Sequence, residues 1–225
     1  MKLVIFDCDG TLVDSQHAIC AAMGHAFSTL GLPTPGRSEM LGVVGLSLPQ
    51  VFATLAGHHP AAVQAELAEL YRSDFPGKRA ATMGDPLYAG IAEVVEELAA
   101  RDDIVLGIAT GKSRRGVARI LEREGWHGRF LTIQTADDHP SKPHPSMILR
   151  AMQETDANPA STLMVGDTTY DIEMARSAGV GAIGAGWGYH EPQRLVQAGA
   201  HDVVAASSAL LAAIDARLAA QERGA

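Results

Sequence analysis

Two carboxylates follow the first apolar segment of the chain, residues 2–6, and they are the residues most capable of chemistry. Asp7 and Asp9 leave an extended chain on the same side because their spacing is two residues. Such close like charges are costly unless a cation lies between them or one keeps its proton. Gly10 permits a tight turn and brings its amide near a bound anion. The segment therefore suits a hard cation with a phosphate group, although Asp-x-Asp-Gly also occurs in ordinary turns.

Further polar residues with chemical potential lie downstream. Thr110 ends an apolar run, and its hydroxyl can hold a phosphoryl oxygen or cap the following helix. Lys142 stands between a serine and a proline, where it can neutralise the charge of a phosphoryl group. Asp167 and Asp171 are four residues apart at the start of a predicted helix, so they can share one face. Helix capping alone could explain one of these two aspartates.

In this order and at these intervals, the four segments resemble the motifs of the haloacid dehalogenase-like hydrolase superfamily. The likeness covers nearly all 225 residues and is greatest to phosphoglycolate-phosphatase-like members with an α-helical cap. It implies that Asp7 is the nucleophile and forms an aspartyl phosphate, with Asp9 as general acid and base. It also implies a Mg²⁺ site with Asp7, the backbone carbonyl of Asp9 and Asp167 as expected ligands. Asp171 is expected either to bind the metal, through water, or to orient Lys142.

Substrate contacts are expected from both the core motifs and the inserted segment. The segment 42–47 resembles the family's substrate-facing cap loop, and it contributes Gly45 and Ser47. The full set of expected substrate-binding residues is Gly10, Gly45, Ser47, Thr110, Gly111 and Lys142.

The activity expected from this set is that of a Mg²⁺-dependent phosphatase for a small phosphorylated metabolite, with phosphoglycolate as first candidate. A phosphosugar mutase is the alternative, but the resembling mutases carry Lys and Arg where this chain has Val44 and Leu48. A non-catalytic metabolite-binding regulatory module is the alternative of another class. It is disfavoured because every catalytic position holds a competent side chain.

The composition limits the classes of partner and the cellular location that we expect for this protein. A formal net charge of −8 and a pI near 5.5 argue against nucleic acid as a partner. No apolar run approaches the roughly 18 residues of a membrane span. Two cysteines are too few for a disulfide framework, which favours a reducing, cytoplasmic location. We expect a monomer or homodimer.

The elements that must position these residues form an alternating pattern after residue 85. Strands are predicted at 2–6, 104–110, 130–134, 162–165, 180–183 and 202–204. Helices are predicted at 87–101, 113–124, 144–155, 169–178, 191–198 and 207–221, the first of them starting at Asp85-Pro86. Repeated βα units predict an α/β, doubly wound parallel sheet with a Rossmann-like core.

Residues 15–82 interrupt this pattern. They are rich in helix, with candidates at 16–30, 48–56 and 61–75, and they carry no convincing strand. The sequence therefore predicts a catalytic core of residues 1–14 and 83–225 and an inserted helical cap of residues 15–82.

Overall fold

The protein is described by a computed structural model that covers residues 1–74 and 85–224. Its centre is a six-stranded sheet in the order β3-β2-β1-β4-β5-β6, and every neighbouring pair is parallel. The strands are β1 (Lys2–Phe6), β2 (Ile104–Thr110), β3 (Phe130–Thr135), β4 (Thr162–Gly166), β5 (Gly181–Ala185) and β6 (Asp202–Val204). The predicted doubly wound α/β fold is confirmed.

Strand β1 lies at the centre of the sheet because its side chains are apolar on both faces. Val4 and Phe6 join one buried cluster, and Leu3 and Ile5 join the cluster on the opposite face. All four side chains are fully buried. A strand buried on both faces requires a continuous apolar run of this kind.

Helices cover both faces of the sheet, and further helices form the segment predicted to be the cap. The helices of this predicted cap are α1 (Gln16–Thr29), α2 (Arg37–Leu41), α3 (Leu48–Leu55) and α4 (Ala61–Asp74). The core helices are α5 (Ile91–Ala99), α6 (Arg114–Arg123), α7 (Ser146–Thr155), α8 (Thr169–Ser177), α9 (Pro192–Gln197) and α10 (Leu210–Gly224). None of these described helices has the length and apolarity that a membrane crossing requires.

The cap has an apolar core of its own. Phe27, Phe52 and Tyr71 come from three of its helices, and their rings lie about 6 Å apart, at 6.2 and 6.1 Å between centroids. Tyr170 and Tyr189 of the catalytic core pack against this cluster. The predicted end of the cap, residues 75–82, lies outside the described residues.

The predicted start of the helix after the cap is wrong. Asp85-Pro86 does not cap a helix; Leu87 instead pairs with Val13 in an antiparallel bridge, and α5 begins only after Gly90. The Pro86 carbonyl accepts a hydrogen bond from the Asp14 amide at 2.8 Å. Pairing with the chain that enters the cap therefore overrides the local capping signal.

The other boundaries agree to within a few residues. Helix α2 was not predicted, and α10 continues to Gly224, beyond the predicted end at 221. The loops at the carboxyl ends of β1, β2 and β4 bring Asp7, Thr110 and Asp167 to one edge of the sheet, where ligands of this fold bind.

Candidate active site

Asp7 lies directly after β1 and is only 1% exposed. Its backbone amide donates to the Val165 carbonyl of β4 at 3.0 Å, which fixes the strand end. Its Oδ1 accepts from the Cys8 amide at 2.7 Å and lies 3.1 Å from the Lys142 ammonium. Its Oδ2 is buried without a hydrogen-bond partner among the described residues. A buried carboxylate oxygen without a hydrogen-bond partner is energetically costly, so this oxygen suits contact with a ligand.

Lys142 is fully buried and reaches the site from the loop after β3. Its ammonium lies 2.6 Å from Asp171 Oδ1 and 3.1 Å from Asp7 Oδ1. Burial disfavours the charged amine, but the charges of Asp171 and Asp7 outweigh burial and raise the pKa of Lys142. The lysine is therefore a fixed cation beneath the nucleophile position.

Asp171 lies in the first turn of α8, and both of its carboxylate oxygens accept hydrogen bonds. Oδ1 binds Lys142, and Oδ2 accepts from the Thr168 amide at 3.0 Å and from its hydroxyl at 2.7 Å. The aspartate thus closes a capping box at the helix start while it orients the lysine. The geometry thus shows helix capping and orientation of Lys142, whereas metal ligation by Asp171 stays a prediction.

Asp167 completes a buried cluster of carboxylates. Its Oδ1 accepts from the Thr11 hydroxyl at 2.8 Å, and its Oδ2 accepts from the Tyr189 amide at 2.8 Å. One carboxylate oxygen from each of Asp7, Asp167 and Asp171 lies within 4.8 Å of the others. Three oxygens converging in a buried site with one compensating lysine have room and charge for a hard divalent cation.

The charges of this cluster shift its pKa values. Burial, followed by the Asp171 and Asp7 charges, raises the pKa of Asp167 well above its usual value. Burial also raises the pKa of Asp7 to about 6, although the Lys142 charge opposes this shift. A cation bound among the carboxylates would remove this penalty.

The Asp9 carboxylate is not part of the cluster and has partners of its own. Its Oδ1 accepts from the Ser15 hydroxyl and from the Lys112 ammonium, both at 2.6 Å. The Tyr189 hydroxyl lies 3.0 Å from the Ser15 hydroxyl. The sequence did not single out Lys112, Ser15 or Tyr189 as partners of Asp9. Lys112 was the easiest of the three to predict from the sequence, because it follows Thr110 by two residues and therefore lies near the same sheet edge.

Gly10 has a different role from the one predicted. Its amide donates to the Val13 carbonyl at 2.9 Å within the turn, so it is not available to bind an anion. Its φ is +88°, and a Cβ here would lie 2.1 Å from Asp167 Oδ2. Gly10 is required because Asp167 packs directly against the backbone.

The other two glycines let the cap loop approach the core. A Cβ on Gly111 would lie 2.6 Å from the Gly45 carbonyl oxygen, and Gly45 itself has a φ of +99°. The Ser47 amide donates to the Ser141 hydroxyl at 2.8 Å. The predicted cap loop therefore lies against the strand ends of the core.

Thr110 lies at the end of β2 and is 1% exposed. Its hydroxyl accepts from the Lys112 amide at 3.2 Å and does not cap a helix. The N-cap of α6 is Ser113, whose hydroxyl accepts from the Gly116 amide.

A cavity of about 550 Å³ opens between cap and core. The predicted site residues that line it are Asp7, Asp9, Gly45, Ser47, Thr110 and Gly111. Lys142, Asp167 and Asp171 are not among its lining residues, so the described structure does not support direct substrate contact by Lys142. Among the described residues, Asp7 alone belongs to both the carboxylate cluster and the cavity.

His190 lies in the loop between β5 and α9 and is buried. Its Nδ1 accepts from the Thr169 amide at 3.0 Å, which leaves Nε2–H to donate to the Gly42 carbonyl at 3.2 Å. The Tyr170 hydroxyl donates to the same carbonyl at 3.0 Å. Through Gly42, these two side chains connect the segment 42–47 to α8, which carries Tyr170, and to the loop between β5 and α9, which carries His190.

Comparisons with known proteins agree with this geometry. The family model for haloacid dehalogenase-like hydrolases matches residues 4–185. The chain is 36% identical to the "probable phosphatase IndB" of Dickeya dadantii, over 93% of this chain and 94% of that protein. It is 30% identical to the N-acetylmuramic acid 6-phosphate phosphatase of Pseudomonas putida, over 86% of each. Other relatives at 28–30% identity are named phosphoglycolate phosphatase.

A solved structure has the same fold. The haloacid dehalogenase-like hydrolase SP0104 of Streptococcus pneumoniae superposes with a TM-score of 0.82 at 27% identity. The match covers 94% of this chain and 97% of that chain, so nearly the whole chain shares the fold.

Proposed function

This chain belongs to the haloacid dehalogenase-like hydrolase family and is a phosphoric monoester hydrolase, and we propose that it acts through a phosphoaspartyl intermediate on Asp7. The observation that carries the proposal is the position of Asp7. Its carboxylate is shared between the buried cluster and the cavity, and its Oδ2 has no hydrogen-bond partner among the described residues.

The first step is attack by an Asp7 carboxylate oxygen on the substrate phosphorus. The P–O bond to the leaving group breaks as the Asp7–phosphorus bond forms, and Asp9 donates a proton to the departing alkoxide. Asp9 lines the same cavity as Asp7, so both side chains can reach one bound ester.

The second step returns the enzyme to its starting state. Asp9, now deprotonated, accepts a proton from a water molecule, and the resulting hydroxide attacks the phosphorus of the aspartyl phosphate. Inorganic phosphate leaves and the Asp7 carboxylate is restored. Thr110 lines the cavity beside Asp7 and is proposed to hold a phosphoryl oxygen. Lys142 offsets the negative charge from beneath Asp7.

Mg²⁺ is the proposed cofactor, and Asp7, Asp167 and the Asp9 carbonyl would hold it. Asp171 would bind it through water or orient Lys142. Bound Mg²⁺ would neutralise charge on the phosphoryl oxygens. The three converging carboxylates and the unpartnered Asp7 Oδ2 fit a hard cation that keeps some water ligands.

The proposed substrate is a small phosphorylated metabolite, and phosphoglycolate is the first candidate because several relatives carry that name. A phosphosugar mutase is less well supported. Val44 and Leu48, which stand at the cationic positions of such mutases, line the cavity as apolar residues. Arg72 also lines the cavity but is paired with Glu69, while Lys78 and Arg79 lie outside the described residues.

We further propose that residues 15–82 act as a mobile cap on a core of residues 1–14 and 83–225. The Asp14–Pro86 hydrogen bond and the Val13–Leu87 bridge bring the two connections side by side. Such closely spaced connections suit a rigid lid that opens for the substrate and closes to exclude water. The proposed exit hinge at residues 83–84 lies outside the described residues.

The test is a phosphate-release assay over a panel of phosphorylated metabolites that includes phosphoglycolate and β-glucose 1-phosphate. We expect release of inorganic phosphate, loss of activity on chelation, and better recovery with Mg²⁺ than with Ca²⁺, whose looser geometry would misplace the attack. Full activity after chelation would refute the metal assignment. Formation of glucose 6-phosphate without release of phosphate would establish the mutase instead.

A further inference from the structure

Three arginines line the cavity: Arg72, which is paired with Glu69, and two from one core helix. Arg115 and Arg119 belong to α6 and lie four residues apart, so they share one face of the helix. A helix rises about 1.5 Å per residue, so Arg119 projects from a point roughly 6 Å further along the cavity wall than Arg115.

Neither guanidinium has an ion-pair or hydrogen-bond partner within residues 1–74 and 85–224. The adjacent Arg114 behaves differently, because it leaves the cavity and binds Asp138 at 2.6 Å. Besides Asp7 and Asp9, one further acidic residue, Asp137, lines the cavity, and its Oδ2 accepts from the Arg114 backbone amide at 2.8 Å. The two cavity-facing arginines are thus unpaired while their neighbour is neutralised.

This arrangement opposes the stability of the helix. Like charges four residues apart repel each other, and the first turn of α6 carries no acidic residue to complement its dipole. General solubility does not account for the two cations either, since the chain as a whole has a net charge of −8. Their position on the cavity wall suits an anionic group of a ligand that occupies the cavity.

The part of the cavity wall that comes from residues 15–82 is largely apolar. Ile19, Met23, Leu46 and Val51 line it. A cavity of about 550 Å³ is also in the size range that holds a whole small-molecule ligand. A leaving group that fills it would present an apolar body to the cap and a polar end to α6.

We infer that Arg115 and Arg119 form a subsite for a second anionic group, so that the substrate class is a phosphate monoester whose leaving group carries a distal carboxylate or phosphate. This inference rests on the proposed phosphatase function of the same cavity. A guanidinium binds such groups through charge-assisted, bidentate hydrogen bonds, which a neutral leaving group cannot make.

The experiment compares pairs of esters that differ only at the distal end. Carboxyalkyl phosphates of increasing chain length, starting from phosphoglycolate, are each assayed beside the alkyl phosphate with a methyl group in place of the carboxylate. The readout is the ratio of kcat/KM for the two members of a pair. We expect the wild-type ratio to exceed 1 and to rise with chain length to a maximum, because methylene groups must span the apolar wall.

The variants are Arg115→Gln, Arg119→Gln and the double variant, with Arg114→Gln as the matched control from the same helix. Each cavity-facing substitution should lower the ratio by roughly tenfold, a size typical of a hydrogen bond to a charged group. The loss should fall mainly in KM, and added salt should lower the wild-type ratio but not that of the double variant. Arg114→Gln should keep the wild-type ratio.

Two results would overturn the inference. One is a wild-type ratio near 1 at every chain length, and the other is a ratio that Arg114→Gln lowers as much as the double variant does. Both leave the phosphatase function standing, since the esters are still hydrolysed. If none of the esters, charged or neutral, releases phosphate, the proposed function itself fails.

Discussion

The carboxylate cluster and the substrate cavity share Asp7 but are built in opposite ways. In the cluster, the charges of Lys142, Asp171 and Asp7 are buried and joined by contacts of 2.6–3.1 Å. In the cavity, apolar residues of segment 15–82 share the lining with the unpaired arginines of α6. This segment contacts the rest of the chain through hydrogen bonds and through the packing of Tyr170 and Tyr189. The cluster lies at the strand ends of the sheet, whereas part of the cavity wall comes from residues 15–82. We therefore expect substitutions in the cavity wall to alter substrate choice without disrupting the cluster.

The largest effect is expected from removing the buried cation. Lys142→Met leaves three carboxylates without their compensating charge, so it should lower the free energy of unfolding by about 3–5 kcal/mol. Turnover should fall by about a thousandfold. Urea unfolding and a phosphate-release assay measure both effects.

Lys2→Met is the matched control for that substitution. It removes a lysine from the exposed ion pairs with Asp103 and Glu222 and should cost less than about 1 kcal/mol. Equal destabilisation by the two substitutions would show that the buried lysine is not the charge that holds the cluster together.

A smaller effect is expected in the cavity wall, where the Lys112 ammonium binds the Asp9 carboxylate. Lys112→Met should lower kcat by about tenfold, part of what a positioned general acid contributes. Gly116→Ala tests the same contact with the charge retained, because its Cβ would lie 2.8 Å from Lys112 Cγ. Turnover should fall by less in this variant, while the helix becomes more stable by up to about 1 kcal/mol.

The control is Gly24→Ala in α1, where the added Cβ meets only an ordinary contact at 3.6 Å from Thr34. It should stabilise its helix without a change in turnover. If Gly24→Ala and Gly116→Ala have the same kinetics, the path of the Lys112 side chain over Gly116 does not matter for Asp9.

The smallest effect is expected at the contact between cap and core. Tyr170→Phe removes the hydroxyl that donates to the Gly42 carbonyl and should weaken closure by about 1 kcal/mol. KM should rise a few-fold while kcat changes little. Tyr88→Phe is the control, since Tyr88 lies in the core beside Trp187. A larger effect from Tyr88→Phe would remove the cap contact as the explanation.

The same division explains how much could be predicted from the sequence. The cluster was predictable because Asp7, Thr110 and Asp167 each follow an apolar strand, and parallel strands place their carboxyl ends at one edge. Asp171 was predictable from its spacing to Asp167. In each case the relevant signal is local, and the sheet supplies the long-range geometry.

Apart from the contact between Ser15 and Asp9, the contacts that the sequence missed join residues far apart in the chain. Lys112 meets Asp9 across 103 residues, and His190 meets Gly42 across 148. No local pattern marks either pair, and a histidine or lysine in a loop is more often solvated. The failed helix start at Asp85-Pro86 has the same cause, because a partner at Val13 outweighs the local signal.

The central claim is that Asp7 carries the phosphoryl group during turnover. An aspartyl phosphate is reduced by borohydride to homoserine, whereas free aspartate is not. The protein is mixed with Mg²⁺ and a substrate from the phosphate-release panel, quenched, reduced and digested, and the peptide that contains Asp7 is read by mass spectrometry. We predict homoserine at position 7 in the wild type and none in Asp7→Asn, which should also lack turnover. Homoserine at another aspartate, or rapid phosphate release by Asp7→Asn, would contradict the account.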